Sequence, residues 1–110
     1  MILNQDGNIS LITQEKATFE ELVKKIQDSY SKIKNNNIIV NITSLNTLRL
    51  QDILAFSELS NNHRKSKHSF VLVSDKVALN NVPDEIIVVP TIQEAYDIIE
   101  MEEMERDLGF

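Results

Sequence analysis

The stretch IIVNITSLNTLRLQDILAF, residues 38–56, contains the pattern that decides the fold. It opens with a nearly continuous β-branched run, IIVNI, which is typical of a strand buried on both faces of a parallel sheet. A polar loop follows, and LQDILAF then begins an amphipathic helix. In open α/β sheets, ligands bind beyond the carboxyl ends of the strands. The stretch therefore predicts an α/β fold together with its functional edge.

Two patterns lie on the N-terminal side of this unit. MILNQDGNISLIT has Asp6 and Gly7 between two apolar segments, which predicts an antiparallel hairpin with a type I′ turn. ATFEELVKKIQDSYSKIK predicts a helix that Thr18 caps, with Glu21 completing a capping box. One apolar stripe of this helix is expected to pack on the core, and it comprises Phe19, Leu22, Val23, Ile26, Tyr30 and Ile33.

The C-terminal side continues the alternation of helices and strands. LQDILAFSELSNNHRK predicts one helix, with Phe56 beside a core face formed by Leu50, Ile53, Leu54 and Leu59. SFVLV and IIVV predict two more buried strands. Thr91 and Glu94 form a second capping box, which opens a helix whose core face is Ile92, Ala95, Ile98 and Ile99. This order predicts a mixed sheet with an N-terminal antiparallel hairpin, parallel later strands and covering helices.

Length and charge set the class of protein. A chain of 110 residues is expected to form one domain, residues 1–110. The formal net charge of −6 opposes binding to phosphate backbones, so no nucleic-acid partner is expected. The N-terminus lacks a signal-peptide pattern and no apolar run approaches membrane-spanning length. We therefore expect a cytoplasmic protein that does not bind a membrane.

The residues needed for most enzyme chemistries are missing. The chain has no Cys, which excludes disulfides, thiol catalysis and thiolate metal sites. Its two histidines, His63 and His68, are too few for a metal centre and lie in no recognisable triad context. Its two glycines, Gly7 and Gly109, cannot build a Gly-rich phosphate loop. We expect no enzyme activity, no catalytic residue, no metal and no cofactor.

Two charged segments have opposite signs. HRKSKH, residues 63–68, is basic and is predicted to end a helix, where cations complement the helix dipole. A partner-docking patch is the less favoured alternative. The acidic C-terminal segment EMEEMERDLGF is expected to pack its apolar side chains on the domain, because apolar area is scarce in a small protein. Those side chains, which a partner could bind instead, are Met101, Met104, Leu108 and Phe110.

From Ile38 to about Ile99 the chain resembles a STAS domain, the fold of bacterial anti-sigma-factor antagonists. The resemblance rests on IIVNITSLNTLRLQDILAF, SFVLVSD and IIVVPTIQEAYDII. It implies a non-catalytic regulatory module that binds a protein partner through the loop and helix start after IIVNI. The residues at that place in this sequence are Asn46, Thr47, Arg49, Gln51 and Asp52.

The sequence departs from the family at its switch residue. STAS antagonists carry a phosphorylatable Ser or Thr at this helix start, within Asp-Ser-Ser-Gly or Asp-Ser-Thr-Gly. Gln51 and Asp52 stand there instead, so we expect no phosphorylation switch. Asp52 would imitate a phosphate only crudely, since a phosphate carries more charge and three acceptor oxygens. Some STAS-like domains are thought to bind small ligands, which leaves a small-ligand sensor as an alternative.

The C-terminal half is similar to short bacterial proteins labelled ribonuclease Z. The matching segments are LAFSELSNNHRKSKHSFVLVSD and VVPTIQEAYDIIEMEEMERDLGF. Enzymes of that name use a His-x-His-x-Asp-His metal motif, which this chain lacks. The similarity therefore implies at most an association with that enzyme, and we do not expect this chain to hydrolyse RNA.

Overall fold

The computed structural model describes residues 1–14, 18–44, 50–75, 82 and 86–109. The predictions that fall on Asn46, Thr47, Arg49 and Phe110 lie outside the described residues, as do those for the side chains of Phe19 and Leu50. The elements in chain order are β1 (Ile2–Asp6), β2 (Ile9–Thr13), α1 (Phe19–Ile33), β3 (Asn37–Asn41), α2 (Leu50–Leu54), α3 (Ser57–Lys65), β4 (Phe70–Val73), β5 (Ile87–Val89) and α4 (Ile92–Asp107).

The five strands form one mixed sheet in the order β1-β2-β3-β4-β5. β1 is antiparallel to β2, and each later pair is parallel. Ile39 on β3 lies opposite Leu11 on one side and Val71 on the other, so β3 and β4 are interior strands. The predicted mixed α/β architecture, with its N-terminal hairpin and parallel later strands, is confirmed.

The hairpin turn differs in detail from the prediction. Asp6 pairs with Ile9, so the two turn residues are Gly7 and Asn8. Gly7 has a φ of +58°, whereas Asn8 does not have a positive φ. A type I′ turn needs positive φ at both central residues, and a type II′ turn needs it at the first alone. The turn therefore fits type II′, because the register places Asp6 in the ladder rather than in the turn.

The pleat of the interior strands divides the apolar residues into two cores. Ile38 and Val40 face the side that α1, α2 and α3 cover, which we call the front face, while Ile39 points to the back face under α4. The front core comprises Ile12, Leu22, Ile26, Ile33, Ile38, Val40, Ile42, Ile53, Phe56, Leu59, Phe70, Leu72, Ile86 and Val88. The back core comprises Ile9, Ile39, Val71, Val73, Ala95 and Ile99.

The single helix predicted over residues 50–65 is two helices, α2 and α3, joined at Phe56. The Phe56 N–H donates to the Ile53 carbonyl at 3.0 Å, which tightens the last turn of α2. The Phe56 carbonyl then accepts from Ser60 N–H at 2.9 Å and starts α3. This bend makes Phe56 fully buried and leaves Leu54 43% exposed, so the predicted core role of Leu54 is wrong.

The predicted helix caps are present at α1 and α4. The hydroxyls of Thr18 and Thr91 each accept a hydrogen bond from a backbone N–H three residues later, both at 3.2 Å. α3 ends in a Schellman motif, in which the N–H groups of Lys67 and His68 donate to the carbonyls of Arg64 and His63. Lys67 occupies the left-handed position, with a φ of +66°.

Two expectations for the C-terminal part are wrong. β5 is an edge strand rather than a fully buried one, and Ile87 and Val89 are half-buried because β4 is its only partner among the described strands. Met101, Met104 and Leu108 do not pack on the sheet, and their exposed fractions are 50%, 60% and 71%. α4 instead uses Ala95 and Ile99 for the back core. No helix in the described part of the chain is long and apolar enough to cross a membrane.

Replacing Phe56 by Ala is expected to lower the free energy of unfolding by about 3–5 kcal/mol, since the ring is fully buried and packs near Phe70. Leu54→Ala is the matched control, and we expect a change within about 0.5 kcal/mol because Leu54 is exposed. Urea unfolding followed by circular dichroism measures both. Equal losses for the two variants would contradict the break between α2 and α3.

Candidate functional site

The carboxyl edge of the parallel strands begins with a turn at the end of β3. The Asn41 Oδ1 accepts from the Thr43 N–H at 3.1 Å and from the Thr43 hydroxyl at 2.8 Å, which forms an Asx turn. The Ile42 N–H still donates to the Val73 carbonyl at 3.0 Å. The start of the loop is therefore held against β4, and the chain leaves the sheet at Thr43.

The structure describes two of the five predicted partner-binding residues. Gln51 is exposed and Asp52 is half-buried, and both lie in the first turn of α2, the helix that follows β3. A carboxylate in a first helical turn is favoured by the helix dipole. Asn46, Thr47 and Arg49 lie outside the described residues. The geometry thus places Gln51 and Asp52 together at the predicted helix start.

A buried histidine on α3 lies away from this edge. His63 is fully buried and edge-on to the rings of Tyr30 and Phe70. Its Nε2 lies 2.7 Å from the Asn36 carbonyl, and its Nδ1 lies 2.7 Å from the Tyr30 hydroxyl. A carbonyl can only accept, so Nε2 carries the proton and Nδ1 accepts from Tyr30. Both ring nitrogens are satisfied with the imidazole neutral, which is the arrangement of a structural histidine.

Burial is the main cause that lowers the pKa of His63 below its ordinary value of 6.5. The hydrogen bond to the Asn36 carbonyl opposes this shift, while the nearby charges of His68 and Arg64 add to it. Burial raises the pKa of the Tyr30 hydroxyl, so Tyr30 remains a donor near neutral pH. The His63–Tyr30 pair thus joins α3 to α1 without a net charge.

A polar network closes the opposite edge of the sheet, where the parallel strands begin. The buried Asn37 donates through Nδ2 to Glu103 Oε1 at 2.6 Å, and its Oδ1 accepts from the Ser69 N–H at 2.8 Å. Arg106 donates to Asn37 Oδ1 at 3.3 Å and to the Ser69 hydroxyl at 3.2 Å. Asn8 also donates to Glu103. This network fixes the C-terminal half of α4 to the starts of β3 and β4.

Arg64 adds a second link between α4 and the rest of the fold. It donates to Glu102 at 3.0 Å and to the Phe70 carbonyl at 3.0 Å, with both charged side chains mostly buried. Within the basic segment, Arg64 therefore joins α3 to α4 and to the start of β4. A polar cleft of about 300 Å³ lies beside the network, lined by Asn8, Asn35, Asn37, Lys67, His68, Glu103, Arg106 and Asp107.

The His63–Tyr30 pair and the network around Asn37 were not predicted from the sequence. A signal for His63 was present, since it follows Phe56 and Leu59 at helical spacing and so shares their buried face. No comparable signal marks Asn37, whose partners Ser69, Glu103 and Arg106 are distant in the chain. Among the described residues, no group of three or more His, Asp or Glu side chains is placed to hold a metal ion.

Comparison with known proteins supports the fold without giving a family by sequence. The chain has no significant match among protein-family models or among curated proteins. Its structure is similar to RsbS of Moorella thermoacetica carrying a serine-to-glutamate substitution, with a TM-score of 0.70 and 11% identity over 96% of this chain and 97% of that chain. A chain of the stressosome, described as a signal integration and transduction hub, has a TM-score of 0.64 and 12% identity over 90% and 96%.

Both similar structures belong to STAS-domain proteins, and at these identities the likeness concerns the fold. The coverage is nearly complete in both directions, so the similarity extends over most of the chain. Neither carries the ribonuclease Z label, and the similarity to proteins with that label stays a prediction. The fold of this chain is therefore STAS-like.

Lowering the pH is expected to destabilise the protein through His63. The unfolded imidazole takes up a proton as the pH falls through 6.5, while the folded one resists until a lower pH. One such group removes at most about 1.4 kcal/mol of stability per pH unit. Urea unfolding at closely spaced pH values should show this loss in the wild type and in His68→Gln, but a smaller loss in His63→Gln. Equal slopes for all three proteins would contradict the shifted pKa.

Replacing Asn37 by Asp is expected to cost about 2–3 kcal/mol at pH 7, because a second carboxylate replaces the donor that faces Glu103. Glu103→Gln should restore part of this loss in the double variant, since its amide can donate to Asp at position 37. Denaturant unfolding of the four proteins forms a double-mutant cycle. Additive losses would show that the two side chains do not interact.

Proposed function

We propose that residues 1–110 form a single STAS-like domain that acts as a non-catalytic regulatory module in the cytoplasm. It binds a protein partner through the loop after β3 and the start of α2. The fold supports this proposal, since the similar structures are RsbS and a chain of the stressosome, a signal integration and transduction hub. The partner surface comprises Asn46, Thr47, Arg49, Gln51 and Asp52.

The observation that carries the proposal is the position of Gln51 and Asp52. They occupy the first turn of α2, the first helix after a strand that is buried on both faces. This junction lies beyond the carboxyl end of β3, where α/β sheets bind their ligands. Gln51 is exposed, so its side chain lies on the surface of the domain.

The proposal includes the absence of a phosphorylation switch at this helix start. Neither Gln51 nor Asp52 has a hydroxyl that a kinase could modify. Asp52 supplies one permanent negative charge, which is less than the charge of a phosphate. The RsbS variant of similar fold carries a glutamate in place of a serine. We infer that this chain holds one binding state permanently instead of alternating between two.

Partner capture tests the surface. The tagged wild type, Arg49→Glu, and the double variant Gln51→Ala/Asp52→Ala are used for affinity purification from the native cell, with quantitative mass spectrometry of the bound proteins. We expect at least one protein to be recovered about tenfold less by both variants, because truncating residues at a binding centre costs 1–2 kcal/mol or more. Lys24→Ala, an exposed change on α1, is the matched control and should retain every partner.

Two outcomes, one from partner capture and one from mass measurement, would contradict the proposal. If both site variants recover the same partners as Lys24→Ala, the helix start is not the docking surface. Intact mass measurement of the protein from its native cell tests the missing switch. A stoichiometric phosphate on Thr47 or Ser57 would show that the acceptor lies elsewhere on this surface.

A further inference from the structure

The outer surface of α4 carries an apolar stripe that packs on no part of the described fold. Met101, Met104 and Leu108 follow one another at intervals of three and four residues, so they share one side of the helix. Each is at least half exposed. They line a shallow groove of about 330 Å³, whose lining among the described residues is Asp97, Glu100, Met101, Met104, Glu105 and Leu108.

This stripe is additional to the face that α4 uses for folding. Ala95 and Ile99 already fill the back core, and Glu102, Glu103 and Arg106 make the polar links at the sheet edge. A single exposed apolar residue needs no explanation, but a contiguous apolar patch with a polar rim marks an interaction site. Two of the three residues are Met, whose flexible side chain adapts to different binding partners.

The charge of α4 indicates the kind of partner. The helix contains seven acidic residues and one basic residue, a net charge of −6 that equals the formal net charge of the whole chain. The rest of the protein is therefore formally neutral. The basic residue, Arg106, faces inward to Asn37 and Ser69 and does not neutralise the outer surface. Asp97, Glu100 and Glu105 remain exposed around the groove.

We propose that this outer surface of α4 binds an amphipathic helix of a partner protein, with an apolar stripe flanked by Lys and Arg. The apolar side chains of that helix pack against Met101, Met104 and Leu108, as in other helix-in-groove complexes. Its cations pair with the acidic rim, which speeds association and selects against acidic partners. Because the apolar groove and its acidic rim are adjacent, the partner helix must carry both the apolar stripe and the flanking cations.

The same charge argues against other occupants. A second copy of this chain would bring two acidic rims together, and like charges across an interface are costly. An anionic membrane surface or a nucleic acid would be repelled for the same reason. α4 covers the back face, whereas α2 packs on the front face. The proposed α4 surface is therefore separate from the one proposed at α2, and either can exist without the other.

The three methionines of the chain allow a direct test by NMR. Protein labelled with 13C at the Met methyl groups is titrated with a synthetic amphipathic peptide of about 18 residues, five helical turns of Leu on one side and Lys on the other. The methyl resonances of Met101 and Met104 are expected to shift, while that of Met1, at the start of the hairpin, is expected to stay unchanged. A peptide with Glu in place of Lys should not bind, and neither should a scrambled Lys peptide without the apolar stripe.

Variants separate the groove from general charge. Fluorescence anisotropy with the labelled Lys peptide should show about tenfold weaker binding for Met101→Gln/Met104→Gln, and weaker binding with less salt dependence for Glu100→Gln/Glu105→Gln. Leu54→Gln removes an exposed apolar side chain from α2 and should bind normally. Each variant is first compared with the wild type by urea unfolding, so that a loss of binding is not a loss of folding.

Three results would overturn the proposal. The first is that the Lys peptide shifts the Met1 resonance as much as those of Met101 and Met104. The second is that the scrambled and amphipathic peptides bind with equal affinity. The third is that light scattering shows a dimer and that its formation shifts the Met101 and Met104 resonances in the absence of peptide. That result would assign the groove to a second copy of this chain. None of these results depends on whether the α2 surface binds its own partner.

Discussion

The whole structure depends on the burial of β3 and β4 on both faces of the sheet. Their apolar side chains alternate between the front and back faces, so each face must be covered by helices. The front face is covered by α1, α2 and α3, whereas among the described elements α4 covers the back face without another helix. α4 must therefore be held firmly in place, and the polar contacts at the sheet edge serve that need.

Those contacts separate the charged residues of α4 into an inward-facing group and an outward-facing group. Asn37 bridges Glu103, Arg106 and the start of β4, and Arg64 pairs with Glu102. The inward groups of α4 therefore pair with the amides of Asn8 and Asn37, the Ser69 hydroxyl and the Arg64 guanidinium, while Glu102 Oε1 is buried without a hydrogen-bond partner among the described residues. The remaining acidic residues of α4 face outward, which gives the protein one strongly negative side and leaves the rest formally neutral. This separation follows from packing and is not visible in the overall composition.

The fold also separates two surfaces that differ in chemistry. The start of α2 presents an amide and a carboxylate beyond the end of an interior strand, which suits specific hydrogen bonding. The outer side of α4 presents Met101, Met104 and Leu108 within an acidic rim, which suits a basic amphipathic helix. Under the two proposals made above, the domain connects two partners. The buried and neutral His63 contributes to the scaffold and not to either surface.

Short-range patterns by themselves determined most of the elements. The β-branched runs at β3 and β4, the Thr18 and Thr91 caps and the predicted helix start at Gln51 and Asp52 depend on neighbours within four residues, so the sequence displays them directly. Tertiary structure decided the bend at Phe56, the burial of His63, the Asn37 network and the exposure of Met101. Each of these depends on which distant elements meet, and helical periodicity cannot say which of two apolar stripes will face the sheet.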